Sequence, residues 1–515
     1  MSVTSTGMPP RGDVLEIEIS TFAEESHVWG SILAVAAVAA IALGVALRVW
    51  SASAMWLDEA QTVAIARLPV GAMLGALRTD GAPPLYYLLL HLWMAAFGTG
   101  TNVIRLLSSA MSIATLPLAW RLGRIVSGRR GAVTSLLLFA SSPFAIRYAT
   151  ETRMYSLVVL LVCVVLVLVF DSEHPVTRRR LVLLGVTTTA LVFTHYWALL
   201  FVAAIGAFLL VRTLLGREGA RSMLVAVVLG SLPFAAWLPT LLFQVQHTGA
   251  PWARPPGTGL VAATLAGFMG GGTSAGNLLE VAFMGLLGAA FYADLRAPDH
   301  TRIARHLLAI GIGTLLLGVG LTSVTSQGYA PRHAAVALAP LLLAAALALA
   351  RLHPARTAAI ATAVVTALGL LASLPAVVTP RTQADDVAAA IAAVRQPGDV
   401  VVTCPDQLAP AIERLVEVPT VRFPPSPSEP PGRVDWTDYR AHLAAASPAD
   451  FAAQVDRLAG SHAVLLAWSP NYVRVGSKCR SVHSALLRLR PGARSLVALR
   501  SHVFENAGLE VFPGR

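Results

Sequence analysis

The chain is 515 residues long, 55% hydrophobic and only 13% charged, with a mean hydropathy of +0.65. Such a balance excludes an ordinary water-soluble protein of this length and describes a polytopic membrane protein. The net charge of +11 comes almost wholly from arginine, with Lys478 the only lysine. The arginines recur in short clusters between apolar runs, which is the pattern of membrane-loop orientation signals and argues against a nucleic-acid partner.

Residues 1–28 are polar and partly acidic, with no short apolar stretch ending in a cleavage site, so they read as a cytoplasmic tail rather than a signal peptide. A bilayer-spanning helix needs roughly 20 apolar residues. Runs of that kind lie at 29–48, 103–122, 131–148, 154–170, 181–214, 222–243, 262–293, 306–322, 333–350 and 355–377. The run 181–214 is long enough for two helices that turn at Thr194-His195-Tyr196-Trp197, giving about eleven spans within 29–378. Orientation follows from the arginines. With the N-terminus inside and 83–98 not crossing, the clusters Arg121/Arg124/Arg129/Arg130, Arg178/Arg179/Arg180, Arg212/Arg217/Arg221, Arg296/Arg302/Arg305 and Arg351/Arg356 all fall in the cytoplasm. The segment Pro83–Gly98 then reads as an interfacial or re-entrant helix within a first outer loop, 50–102.

After about residue 378 the pattern changes. Gln383–Arg395 reads as an amphipathic helix, Asp399–Thr403 and Ala463–Trp468 as strands, and the proline-rich Pro424–Gly432 as a loop. The expected fold class is a polytopic α-helical membrane protein of about 11 to 13 spans with a C-terminal extracytoplasmic α/β domain at 381–515. Cys404 and Cys479 both lie in that domain, and the sequence leaves open whether they are bridged or are two free thiols. Cys163, inside an expected span, reads as a small apolar residue.

The polar residues that remain gather on the outer side. Asp58 and Glu59 follow the first span, Arg105 opens the second, and Glu151/Arg153/Tyr155 join the third to the fourth. His195/Tyr196/Trp197 form a hairpin tip, His247–Arg254 follow the seventh span, and Gln327–His333 follow the ninth. An acidic pair with scattered arginines suits transfer of a group from a phosphate-linked donor: a carboxylate deprotonates an acceptor hydroxyl while guanidinium groups hold the leaving phosphate. Neither GxxxxGK[ST] nor a GxGxxG after a strand is present, so the expected donor is a lipid phosphate rather than a cytoplasmic nucleotide.

The order of WLDEA at 56–60, DGAPPLYYLLLHLW at 80–93, RLLS at 105–108, RLGRIVSGRR at 121–130, ETRMYS at 151–156 and THYW at 194–197 resembles the bacterial branch of the glycosyltransferase C superfamily. Within it, the protein O-mannosyltransferase and lipid A aminoarabinose transferase relatives are the nearest in pattern, over roughly residues 30 to 350. The resemblance implies an integral membrane transferase of the inner or plasma membrane with an extracytoplasmic active site. It would use a polyprenyl-phosphate-linked sugar, usually with inversion and sometimes with a divalent cation such as Mg or Mn.

Matched to those motifs, Asp58 is the expected general base, with Glu59 assisting or helping Asp58 hold a metal. Arg332, Arg153 and Arg105 are the expected donor-phosphate ligands. Tyr155, His195, Tyr196, His333 and Tyr86 are expected near sugar or acceptor. For Glu151 two readings stay open, substrate binding or an ion pair with Arg153; for Trp197 a place in an interfacial aromatic belt is preferred. The chain departs from the relatives at Ala82, where the O-mannosyltransferases carry histidine before the paired prolines, and in lacking the aminoarabinose enzyme's nearby lysine. Acceptor identity therefore does not carry over, and an envelope glycan, a glycolipid and a protein all remain open. Replacement of lysine by arginine and abundant alanine fit a high-GC bacterium such as an actinomycete. Mannose is then the first expectation and arabinose the second. A flippase for lipid-linked sugars without chemistry is the alternative from another class; it would need acids near mid-bilayer and an internal repeat, neither of which is evident.

Overall fold

The computed structural model describes residues 31–248, 259–296, 303–325, 329–426, 428 and 430–515. The N-terminal tail, Gly249–Arg254, Arg302, Gln327 and parts of the proline-rich loop lie outside those residues. Helix α1 (Ser31–Val49) leads into α2 (Leu57–Ala66), α3 (Val70–Asp80) and α4 (Leu85–Phe97), which together occupy the first loop. Helices α5 (Thr101–Ala140), α6 (Pro143–Ala149), α7 (Tyr155–Phe170), α8 (Arg178–Val192) and α9 (Ala198–Leu214) follow. Then come α10 (Ala220–Ser231), α11 (Leu238–His247), α12 (Leu260–Phe268), α13 (Ser274–Leu295), α14 (Ile303–Thr325), α15 (Ala335–Ala350) and α16 (Ala355–Val378).

Among the described residues, seven helical segments are long and apolar enough to cross a membrane, and α4, α7 and α9 are shorter apolar helices. The protein is a multi-pass membrane protein. The hairpin expected at 194–197 is present between α8 and α9. Two runs that read as single spans are broken. The 131–148 run divides at Ser141–Ser142, where Ser142 caps α6 by accepting from Ala145 N. The 262–293 run divides at 269–273, where Gly270 and Gly272 adopt φ of 74° and 96° and Thr273 caps α13. Helix α5 also runs on through the Arg121–Arg130 cluster, kinked at Gly128 with φ 60°.

Arg48 on α1 lies in the membrane region and is 1% exposed. Its guanidinium donates to Ser112 Oγ, Gly44 O, Ala140 O and Phe139 O at 3.0, 2.7, 2.6 and 2.5 Å, so it satisfies carbonyls left open at the end of α5. A Cβ on Gly44 would stand 2.3 Å from Ala140 O, which makes glycine a condition of this approach. The central element is α15, an Ala/Leu/Val helix with every residue buried, as expected of a helix apolar on all sides. It packs on α5, α7, α13 and α14 and carries Arg332 and His333 at its entry.

The C-terminal part is a five-stranded sheet with helices on both faces. Its order is β2 (Val421–Arg422), β1 (Val400–Cys404), β3 (Val464–Trp468), β5 (Gly508–Phe512), β4 (Arg494–Val497), with β2-β1-β3 parallel and β3-β5-β4 antiparallel. One face packs on α17 (Ala384–Val394) and α18 (Ala409–Val416); the other packs on α19 (Tyr439–Ala445), α20 (Pro448–Ala459) and α21 (Gly476–Leu489). Cover on both sides explains why β1 and β3 read as continuous apolar runs. Cys404 and Cys479 form a disulfide that ties the end of β1 to α21, with Cα atoms 5.5 Å apart. Cys163 is a buried free thiol.

Candidate active site

Helix α2 begins at Leu57 and places Asp58 and Glu59 in its first turn, where the helix dipole favours carboxylates. Adjacent residues on a helix diverge by about 100°, and the two acids meet different surroundings. Asp58 faces a group drawn from three distant segments. Its Oδ2 lies 3.4 Å from Arg332 Nη2 and 4.0 Å from Arg153 Nε, and its side chain retains 13% exposure. Arg153 also donates to Thr62 Oγ1 at 2.8 Å, one turn along α2, while Arg332 stands 5.7 Å above the Trp56 ring. The Nε atoms of both guanidiniums are buried with no hydrogen-bond partner among the described residues. Two cations thus share one carboxylate, which leaves a surplus of positive charge beside Asp58.

Around this group lie Tyr155, His195 and His333. The His195 ring is 5.8 Å from Tyr155 and 5.9 Å from His333. Burial first, then Arg153 and Arg332, push the His195 imidazole down to about 3, so it is neutral at physiological pH. Its Nδ1 accepts from Trp197 N at 3.2 Å, which leaves the proton on Nε2.

Glu59 is directed away from this group. It is fully buried, its two oxygens accept from Arg105 Nε and Nη2 at 2.8 and 2.7 Å, and Oε1 also accepts from Thr152 N at 2.9 Å. Arg105 further donates to Ser53 O and Ala54 O. Arg381 lies 4.0 Å from Glu59 and 3.9 Å from Glu151, and Arg147 lies 3.1 Å from Glu151. This second network joins α2, α5, the 147–152 turn and the entry to the sheet domain without reaching the open side.

The placement corrects several expectations. The metal pair Asp58–Glu59 does not form, because Glu59 is committed to Arg105 and Asp58 faces two guanidiniums; the donors present do not fit a divalent cation there. Arg105 is bound to Glu59 and is not free to hold a phosphate. Glu151 pairs with Arg147 and Arg381 rather than Arg153, and burial raises its carboxyl above the ordinary range. Tyr86 is fully buried, its hydroxyl 2.8 Å from Ser108 Oγ, which in turn donates to Arg153 O. The Tyr196 hydroxyl is held by Gln244 and by Trp237 Nε1. Trp197 is not in an interfacial belt; it is 9% exposed and packs on Tyr329 at 5.3 Å.

Sequence reading missed Asp80, which accepts from Tyr87 Oη at 2.7 Å and from Gln61 at 2.5 Å beside Arg153. The Asp80-Gly81 pair, with Gly81 at φ 87° ending α3, was the available signal. It also missed Arg381, for which no local signal exists.

The family described as dolichyl-phosphate-mannose-protein mannosyltransferase matches residues 81–242, a stretch that holds Arg105, Glu151, Arg153 and His195 but neither Asp58 nor Arg332. Among solved structures, ArnT from Cupriavidus metallidurans in the apo state superposes with a TM-score of 0.59 at 14% identity, covering 94% of this chain and 98% of that one. The same protein bound to undecaprenyl phosphate gives 0.58 at 12% identity with the same coverage. The chain has the glycosyltransferase C fold. The Archaeoglobus fulgidus oligosaccharyltransferase AglB shares it at 12% identity and a TM-score of 0.53, covering 84% of this chain and 69% of that one, in a complex with an inhibitory peptide and a dolichol-phosphate. Its complex with Zn and sulfate gives 0.51 at 13% identity, covering 84% and 67%. No curated protein sequence matches the chain at a significant level.

Proposed function

We propose that the protein is a membrane glycosyltransferase that moves a sugar from a polyprenyl-phosphate carrier to an acceptor hydroxyl at the outer membrane surface. The observation that carries this reading is Asp58 held between the guanidiniums of Arg332 and Arg153. A lipid phosphate arriving there meets two cations, and Asp58 stands beside it as the carboxylate able to take a proton.

In the reaction, the acceptor hydroxyl gives its proton to Asp58 as its oxygen attacks the anomeric carbon. The bond from that carbon to the phosphate oxygen breaks, and the electron pair leaves with polyprenyl phosphate, which Arg332 and Arg153 stabilise. A single displacement of this kind inverts the anomeric centre. Neutral His195, with its proton on Nε2, is a hydrogen-bond donor at the edge of the same group. The lipid carriers seen with ArnT and AglB support the class of donor, and the family matched at 81–242 supports mannose as the first sugar to test, with arabinose second. The Cys404–Cys479 bond supports an extracytoplasmic sheet domain, because such bonds persist in oxidising compartments.

The test is transfer of labelled sugar from decaprenyl-phosphate mannose or decaprenyl-phosphate arabinose to membranes of cells lacking the gene, using purified protein in nanodiscs. Transfer by the wild type, and transfer slower by roughly 10²- to 10⁴-fold by Asp58→Asn, is the expected result. Equal turnover by the two proteins overturns the assignment of Asp58, and no transfer from either donor overturns the choice of sugars.

A further inference from the structure

The sheet domain reaches the start of α2. The carboxyl ends of parallel strands β1 and β3, the edge at which open α/β sheets place their functional groups, lie toward α2, with Trp56 and Leu57 in the same buried cluster as Cys404 and Trp436, and Tyr472 packed against it. From the loop before β5, Glu505 is fully buried and its Oε1 accepts from the Leu57 backbone N–H at 3.1 Å and from Tyr472 Oη at 3.1 Å. Phe504 sets its ring edge-on against Trp56, with centroids 5.4 Å apart. Glu505 is itself fixed by backbone: its N–H donates to Arg381 O at 2.8 Å, and its carbonyl accepts from Gln383 N at 3.2 Å.

These contacts fall on the two residues immediately before Asp58. Leu57 is the first residue of α2, and an N–H in that position has no partner inside the helix. Trp56 offers no side-chain cap, so the side-chain Oε1 of Glu505 supplies from 448 residues away what a local capping residue would otherwise give. Trp56 also lies beneath Arg332, so the 504–505 pair bears on both the base and one of the phosphate-holding cations.

We infer that Glu505 is a positioning residue for the transfer reaction: through Leu57 N–H it fixes the first turn of α2 and hence the carboxylate of Asp58, making the sheet domain part of the catalytic machinery rather than a separable acceptor platform. The inference rests on the transferase reading given above for Asp58. Glutamine at 505 keeps an oxygen that accepts from both Leu57 and Tyr472, whereas alanine removes it.

The test compares wild type, Glu505→Gln, Glu505→Ala and Tyr472→Phe as full-length proteins in nanodiscs, with decaprenyl-phosphate mannose and decaprenyl-phosphate arabinose as donors. Amide hydrogen exchange is measured over residues 55–66 in the same samples. Glu505→Ala is expected to lower kcat by about 10- to 100-fold, as loss of orientation does, with donor KM within roughly twofold and faster exchange at the start of α2. Glu505→Gln should stay within about threefold of wild type in kcat, with wild-type exchange; Tyr472→Phe, which removes one of two donors, should fall between. A folded Glu505→Ala protein with wild-type kcat and exchange overturns the inference, as does Glu505→Gln impaired as severely as Glu505→Ala. Should the wild type transfer neither sugar, the choice of donor fails, and the exchange comparison still decides whether Glu505 holds the turn.

Discussion

Replacing Asp58 by Asn separates the two tasks assigned to this site, because it removes the base and the counter-charge of the guanidiniums together. Loss of general-base catalysis is worth roughly 10²- to 10⁴-fold in kcat. The effect on lipid phosphate has the opposite sign. Asp58 occupies Arg332 at 3.4 Å, where the gross Coulomb attraction at an effective dielectric of about 20 is roughly 5 kcal/mol. Most of that is offset by desolvation, leaving about 1–2 kcal/mol net. An arriving phosphate competes with Asp58 for the same cations and is repelled by it. Asp58→Asn should therefore bind undecaprenyl phosphate about tenfold more tightly while transferring sugar roughly 10²- to 10⁴-fold more slowly. Titration of the lipid into wild-type and variant nanodiscs, followed by intrinsic tryptophan fluorescence, measures the change. Unchanged or weaker binding in a folded variant would refute the account of Arg332 and Arg153 as the phosphate site.

The buried pair Glu59–Arg105 should behave as structure rather than chemistry. Glu59→Gln leaves Arg105 uncompensated and should destabilise the fold by about 3–5 kcal/mol, seen as lower yield and Tm, with the surviving folded fraction retaining its pH–rate profile. Asp406, outside the membrane region, is raised to about 7 by burial, partly offset by the Tyr439 hydroxyl at 2.6 Å and by Arg422. Its folded pKa exceeds the unfolded one, so its burden on stability is absent below about pH 4 and complete above pH 7, on the order of 4 kcal/mol. Asp406→Asn should thus raise the melting temperature of the sheet domain at pH 8 and change it little at pH 4, as read from tryptophan fluorescence. Reducing the Cys404–Cys479 bond, which closes a loop of 75 residues, should lower the domain's stability by about 4 kcal/mol. Under the inference for Glu505, transfer should fall in step with unfolding of that domain.

Much of the architecture was legible because each element depends on a local pattern. The apolar runs, the turn at Thr194–Trp197 and the strands at 400–404 and 464–468 all follow from periodicity and length. The breaks at Ser141–Ser142 and 269–273 were not, because hydropathy averages over two residues with capping side chains or two glycines in the left-handed region. At the site, the sequence marked Asp58, Arg153 and Arg332 as ionisable residues beside apolar runs, and the structure sets both guanidiniums within 4.0 Å of the Asp58 carboxylate. It could not divide Asp58 from Glu59, since neighbours on a helix share a sequence context and differ only in azimuth. Nor could it mark Glu505, whose contact with Leu57 spans almost the whole chain.

The division between those two acids explains how Asp58, the proposed base, can keep 13% exposure and still be held in place. As the proposed base, Asp58 has to meet substrate, so it cannot be packed on all sides. Its neighbours can. Glu59, Arg105, Arg381 and Glu151, all buried, form with the half-buried Arg147 a chain of charges linking α2, α5, the 147–152 turn and the sheet domain. Such a network adds little net stability compared with well-packed apolar side chains, but breaking any member leaves a buried charge unpaired. It therefore resists alternative arrangements of the loops. The first turn of α2 is fixed from one side by Glu59 and from the other by Glu505 at Leu57, and Asp58 projects between them toward Arg153 and Arg332.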